Sequence, residues 1–217
     1  MLRPFARAKD DRPQTPRSAR TIARIVEAAG RLFSRDGTHA ATMNDVAREA
    51  GVSKGLLHYH FHSKEHLLIE AQRAILRQIH RRFQDRARAG DRGLSRALEA
   101  LDALWAALLD LRSQTPFMVE TFALANQPGP VQDAYRGFAD EGLALLEDGI
   151  RAVLAEDLGH LPLPPARLAF LVRTALCGLV VELSQARSDA DVARVDAAYQ
   201  DFRAFLGRAL LSPAAAG

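Results

Sequence analysis

Lys54, Gly55, Leu56, His58, Tyr59 and His60 form a short cluster, with Thr42 and Ser53 ahead of it and Lys64 just behind. This set offers ammonium groups, hydroxyls, a phenol and imidazoles, and its chemistry is recognition: ammonium and hydroxyl groups suit phosphate oxygens, and polar ring edges suit base edges. His58 could donate to a phosphate when protonated. A metal is the competing use, because His58/His62 and His62/His66 have the i,i+4 spacing of paired ligands on one helix face. No nearby cysteine completes such a site, so neither a metal nor any other cofactor is expected. Catalysis has less to stand on. The chain has no phosphate-cradling glycine loop and no G-x-S-x-G elbow. Glu141, Glu147 and Asp148 fall on an otherwise apolar helical stretch and read as its solvated face, so we expect no enzyme.

The elements that must hold the cluster are legible around it. Thr42-Met43-Asn44-Asp45 has the form of a capped helix start, with Thr42 as N-cap. Met43, Val46, Ala47 and Ala50 recur at helical spacing, and Gly51 then suits the left-handed residue that ends a helix. Ser53 is a second N-cap, so the next helix, about 53–60, starts almost at once. Two short helices this close make a helix-turn-helix. In the second, Leu57 and Phe61 point one way while Gly55 and Tyr59 point the other, flanked by Leu56 and His58. A glycine on the outward face costs helix stability by roughly 1 kcal/mol, which makes sense where another backbone must come close. Ser63 caps a further helix whose N–H groups, with Lys64, would suit a phosphate.

Ile25 to Leu68, with its segments AAGRLFSRDG, TMNDVAREAGVSKG, HYHF and SKEHLL, resembles the DNA-binding domain of the TetR family of bacterial transcriptional regulators. The likeness covers about a fifth of the chain. Leu56 stands where that family commonly has threonine and His58 where it commonly has tyrosine, so the contacts usual at those positions are not carried over. Gly30, inside the first helix, also departs from the pattern and should weaken that helix.

Charge is distributed to match. Residues 1–90 hold 18 Lys/Arg against 9 Asp/Glu, whereas the remainder holds 11 against 17. The basic half is the half with the helix-turn-helix, as counterion release from a phosphate backbone favours. The alternative is an ordinary solvated surface. A hydrophobic content of 48% excludes general disorder. No apolar run reaches the ~18 residues of a membrane span, and there is no signal-peptide h-region. Cys177 is the one cysteine, which excludes an intramolecular disulfide framework. We expect a cytoplasmic protein without membrane association.

The whole chain reads as all-α. Residues 1–19, with three prolines and scattered arginines, are expected to be a flexible basic arm. Residues 20–86 are expected to form the three-helix DNA-binding domain and a long linking helix from about 63 to 86. Gly90-Asp91-Arg92-Gly93 breaks the chain, residues 91–211 form a helical bundle, and 212–217 are a tail. Within the bundle, helices are expected over about 94–112, 115–127, 130–156, 166–187 and 190–211. The penultimate one, ARLAFLVRTALCGLVVELSQ, is apolar on more than one face and needs cover on several sides. That cover is either a second subunit or the centre of the monomer.

The resemblance implies the first: a homodimer paired through its last two helices, with two recognition helices on a near-palindromic double-stranded DNA operator. It also implies a repressor released when a small hydrophobic molecule of unknown identity enters the bundle and moves the linking helix. Trp105, Phe117, Met118, Phe122, Tyr135 and Phe138 are the candidate pocket residues, each of which could equally be core. Two other readings stay open. One is a DNA-binding dimer with no small-molecule effector, regulated through a protein partner. The other is a nonspecific DNA binder driven by the basic arm.

Overall fold

The computed structural model describes residues 15–88, 92–156 and 158–211. Among them the regular structure is helical throughout: α1 (Pro16–Asp36), α2 (Met43–Glu49), α3 (Lys54–His60), α4 (Lys64–Arg88), α5 (Leu94–Asp110), α6 (Thr115–Leu124), α7 (Pro130–Val153), α8 (Pro165–Gln185) and α9 (Asp189–Leu211). Single 3-10 turns follow α5 (Arg112–Gln114) and α7 (Leu158–His160). None of these helices is long and apolar enough to cross a membrane.

The helix starts follow from local chemistry, and they correct one boundary. The basic arm was placed at 1–19, but α1 already begins at Pro16. Thr15 is in extended conformation and its side chain accepts the Ser18 N–H at 3.2 Å, while Pro16 brings the fixed φ of a first helical residue. Residues 1–14 and 212–217, the rest of the arm and the tail, lie outside the described residues. At the other end of α1, Gly37 (φ 81°) donates its N–H to Phe33 and ends the helix. Helix α6 stops at Leu124 rather than near 127, because the Asn126-Gln127-Pro128-Gly129 turn begins there and a residue before proline avoids the helical region.

Helix α1 packs on α4, α2 on α1 and α3 on α2, with Ile25, Val46, Leu57 and Leu67 at 0% exposure in the shared core. Helix α4 also packs on α5 and α7 of the bundle, so it belongs to both halves of the molecule. Gly149 lets α7 come close to it: a Cβ there would lie 2.6 Å from the Phe83 ring. Gly149→Ala should therefore displace a buried ring, and the overpacking outweighs the gain in helix propensity by about 1 kcal/mol. Thermal unfolding would record this as a lower Tm, and an unchanged or raised Tm would mean that the α4–α7 contact is loose. Gly30 is different. Although it is buried in α1, a Cβ there would meet only the Gln114 side chain, at an ordinary 3.5 Å.

The bundle is fastened polar group by polar group on its α5–α9 side. Trp105 stacks on Tyr199 with ring centroids 4.8 Å apart, and its indole donates to Asp196 at 2.6 Å. The Tyr199 hydroxyl and the Arg203 guanidinium both donate to Asp102, each at 2.6 Å. Burial, then the bond to Asp102, pushes the Tyr199 phenol far above its ordinary range.

Candidate nucleic-acid interface and bundle cavity

The helix-turn-helix is built by two caps and one left-handed residue. Thr42 and Asp45 form a reciprocal capping box: the Asp45 N–H donates to the Thr42 hydroxyl at 3.2 Å, and the Thr42 N–H donates to the Asp45 carboxylate at 3.1 Å. The Thr42 hydroxyl also donates to Asp45 at 2.6 Å, and these bonds hold that carboxyl below the usual range. Gly51 (φ 63°) turns the chain, the Val52 N–H closes on the Ala47 carbonyl at 3.0 Å, and the Ser53 hydroxyl accepts the Leu56 N–H at 3.2 Å. Leu57 and Phe61 anchor α3 inward at 0% and 2% exposure.

Most of the expected α3 residues lie on its outer face. Lys54, Gly55 and His58 are exposed, Leu56 is 38% exposed and Tyr59 61%. Nothing lies within 4 Å of a Cβ placed on Gly55, so the helix backbone itself is approachable there. Tyr59 lies edge-on to His60 with ring centroids 5.0 Å apart. His60 is half-buried, and burial lowers its pKa, which favours a neutral ring. Thr42 and Ser53 lie at the starts of α2 and α3 with their side chains already spent on caps. Lys64, at the start of α4, donates to the His39 carbonyl at 3.2 Å and so ties α4 to the α1–α2 loop. The histidines behind α3 pack as rings, His62 on His66 at 5.8 Å and His66 on Phe61 at 5.4 Å. Among the described residues no group of three or more His, Cys, Asp or Glu could hold a metal ion.

A second feature lies in the bundle: a cavity of about 120 Å³ walled by α4 to α8. Of the six residues proposed from sequence, Met118, Phe122, Tyr135 and Phe138 line it, with the Phe122 and Tyr135 rings edge to face at 5.4 Å. Trp105 and Phe117 do not. Trp105 faces α9 through Tyr199 and Asp196, and Phe117 packs at 0% exposure against Phe33 of α1, ring to ring at 5.3 Å. Sequence reasoning missed the polar walls, namely Gln72 and His80 from α4 and Arg173 and Cys177 from α8. Burial lowers the His80 imidazole pKa and raises that of the Cys177 thiol. Arg173 did leave a signal, as the one charge inside the apolar run LAFLVRTALCGL.

The two features are joined mechanically. Helix α4 carries Gln72, Leu76, Ile79, His80 and Phe83 into the cavity wall, and its first turn lies directly after α3. Helix α6 turns Met118 and Phe122 to the cavity and Phe117 and Glu120 to the helix-turn-helix half. There the Glu120 carboxylate accepts the Thr38 N–H at 2.9 Å and also the Thr38 hydroxyl.

Residues 25–71, the segment containing this helix-turn-helix, match the family model described as bacterial regulatory proteins, tetR family. Over that segment the chain is similar to the tetR family. That model describes regulatory proteins, and the relatives matched over the same segment are HTH-type transcriptional regulators. The chain is 47% identical over 57 residues to the HTH-type transcriptional regulator BetI of Agrobacterium fabrum, covering 26% of this chain and 28% of BetI. It is 37% identical over 71 residues to the HTH-type transcriptional regulator TtgR of Pseudomonas putida, covering 33% of this chain and 32% of TtgR. The chain thus matches less than a third of these relatives' length.

Over nearly the whole chain, the fold recurs in solved structures. Salmonella enterica GusR superposes with a TM-score of 0.68 at 22% identity, over 91% of this chain and 98% of that one. A Saccharomonospora viridis protein solved in complex with choline gives 0.67 at 24% identity, over 85% and 95%.

Proposed function

We infer that this chain is a homodimeric transcriptional repressor of the cytoplasm, released from a near-palindromic operator when a small molecule occupies the bundle cavity. In this reading residues 20–86 hold the DNA-binding domain and linking helix, and 91–211 the effector and dimerisation domain. Lys54, Gly55, Leu56, His58, Tyr59 and His60 face the DNA, Lys64 lies against a phosphate, and the hydroxyls of Thr42 and Ser53 stand at the helix ends nearest the backbone. One observation carries the coupling: α4 walls the cavity, follows the recognition helix directly in the chain and packs on α1 of the same half. A ligand that wedges α4 from α7 changes the angle at which α3 is held, and so the separation of the two α3 copies. The ligand can shift binding only by its differential affinity for the two spacings. The tie from Thr38 to Glu120 gives α6 a second hold on the same domain. The choline complex of the S. viridis protein supports a ligand-binding role for this type of bundle.

The test is selection of bound duplexes from a randomised DNA pool by the purified protein. The expected outcome is a near-palindromic consensus, bound more weakly once a cavity ligand is added. Binding that falls steeply with salt but enriches no sequence would replace this reading with nonspecific DNA binding.

A further inference from the structure

The cavity wall is mostly apolar. Gln72 is 0% exposed, and neither the oxygen nor the nitrogen of its amide has a hydrogen-bond partner. Arg173 reaches in from α8 with its Nε buried and likewise unpartnered, and its guanidinium carbon lies 5.3 Å from the centre of the Phe170 ring. It makes no ion pair among the described residues. Gln72 and Arg173 line the same cavity, and no carboxylate is among its lining residues.

A buried amide with nothing to bond is a cost that an apolar residue of the same shape would remove, so its presence asks for a partner. A guanidinium in the same cavity wall asks for an anion, and its fork matches a carboxylate. We propose that the cavity takes a small monocarboxylic acid, its carboxylate held by Arg173 and Gln72 and its apolar body lying along Leu76, Ile79 and Leu146. The size of the body follows from the volume. An engineered cavity of roughly 150 Å³ holds benzene, so about 120 Å³ admits a single ring or a short acyl chain. The aromatic residues Phe122, Tyr135 and Phe138 could by themselves cage a quaternary ammonium such as choline. Arg173 repels that cation, and no lining carboxylate offsets it. The choice of a carboxylate rests on the reading of this cavity as the effector site.

The test is calorimetric titration of the full-length protein with three matched probe types: benzoate and hexanoate, their amides, and the cations choline and benzyltrimethylammonium. The acids should bind at least about tenfold more tightly than the amides, and the cations should not bind. Arg173→Gln should erase the preference for acid over amide. Gln72→Leu should weaken acid binding while leaving Tm unchanged or higher, which separates a lost contact from a lost fold. Amides or cations binding as well as acids, or an acid preference that survives Arg173→Gln, overturns the proposal. No heat from any probe overturns it together with the effector site itself. Acid binding as expected, with operator affinity unmoved, upholds the carboxylate site and removes release from DNA as its consequence.

Discussion

Lys54→Ala and Tyr59→Ala should each weaken binding to the selected operator by roughly 1–3 kcal/mol, about five- to 150-fold, while leaving the fold intact. Both side chains are exposed and neither enters the core, which α3 reaches through Leu57 and Phe61. A 61% exposed tyrosine on a helix with an exposed glycine and leucine beside it fits a face that meets a partner. Lys64→Ala provides the contrast. Its ammonium lies on the His39 carbonyl beside the start of α4, where a phosphate would pass, so its loss should weaken all sequences alike and flatten the salt dependence. Titrations at several salt concentrations, on operator and scrambled duplexes, separate the two patterns. If all three variants bind the operator as the parent does, α3 does not read the DNA.

The helix-turn-helix was legible because its signals are local. Thr42 with Asp45, Gly51 and Ser53 each act on a neighbour a few residues away, and sequence spacing states that relation directly. Helix α3 was fixed the same way by the alternation of Leu57 and Phe61 against Gly55 and Tyr59. The start of α1 was misplaced because scattered arginines and prolines look like a flexible arm, whereas Thr15-Pro16 is a capped helix start.

The cavity was only half legible. The aromatic residues of α6 and α7 were visible as candidates, but their directions depend on how distant helices cross. Phe117 and Met118 are adjacent in sequence, yet one packs on α1 and the other faces the cavity. Gln72 drew no attention at all, because a glutamine on a long amphipathic helix usually faces water. Only the packing of α7 over α4 shows that this one is sealed in.

Phe170→Glu combined with Phe205→Glu should convert the protein to a monomer and reduce operator binding on the order of a hundredfold, because one recognition helix reads too few bases. Phe170 and Leu171 on α8 are each 51% exposed, and Phe205 on α9 is 69% exposed. Large apolar side chains left out by the last two helices, after the other helices have covered the first halves of the bundle, mark the face that still needs cover. Gly178 adds a geometric reason. It lies two helical turns beyond Phe170 and Leu171 on the same exposed side of α8, and nothing is within 4 Å of a Cβ placed there, so another helix could approach closely. Along α9 the exposed Ala197, Ala198 and Ala204 keep the neighbouring surface low in the same way. Two helices about 30 Å long can supply the roughly 800 Å² per subunit that a stable dimer needs. Sedimentation velocity reads the outcome, and a double variant that sediments as a dimer would place the interface elsewhere. Phe170 also covers the Arg173 guanidinium, so the α8 face that would meet a second subunit borders the charged part of the cavity wall. Occupancy of that cavity should then alter the stability of the dimer as well as the set of α4, and the dissociation constant of the parent protein measured with and without ligand is where that coupling becomes visible.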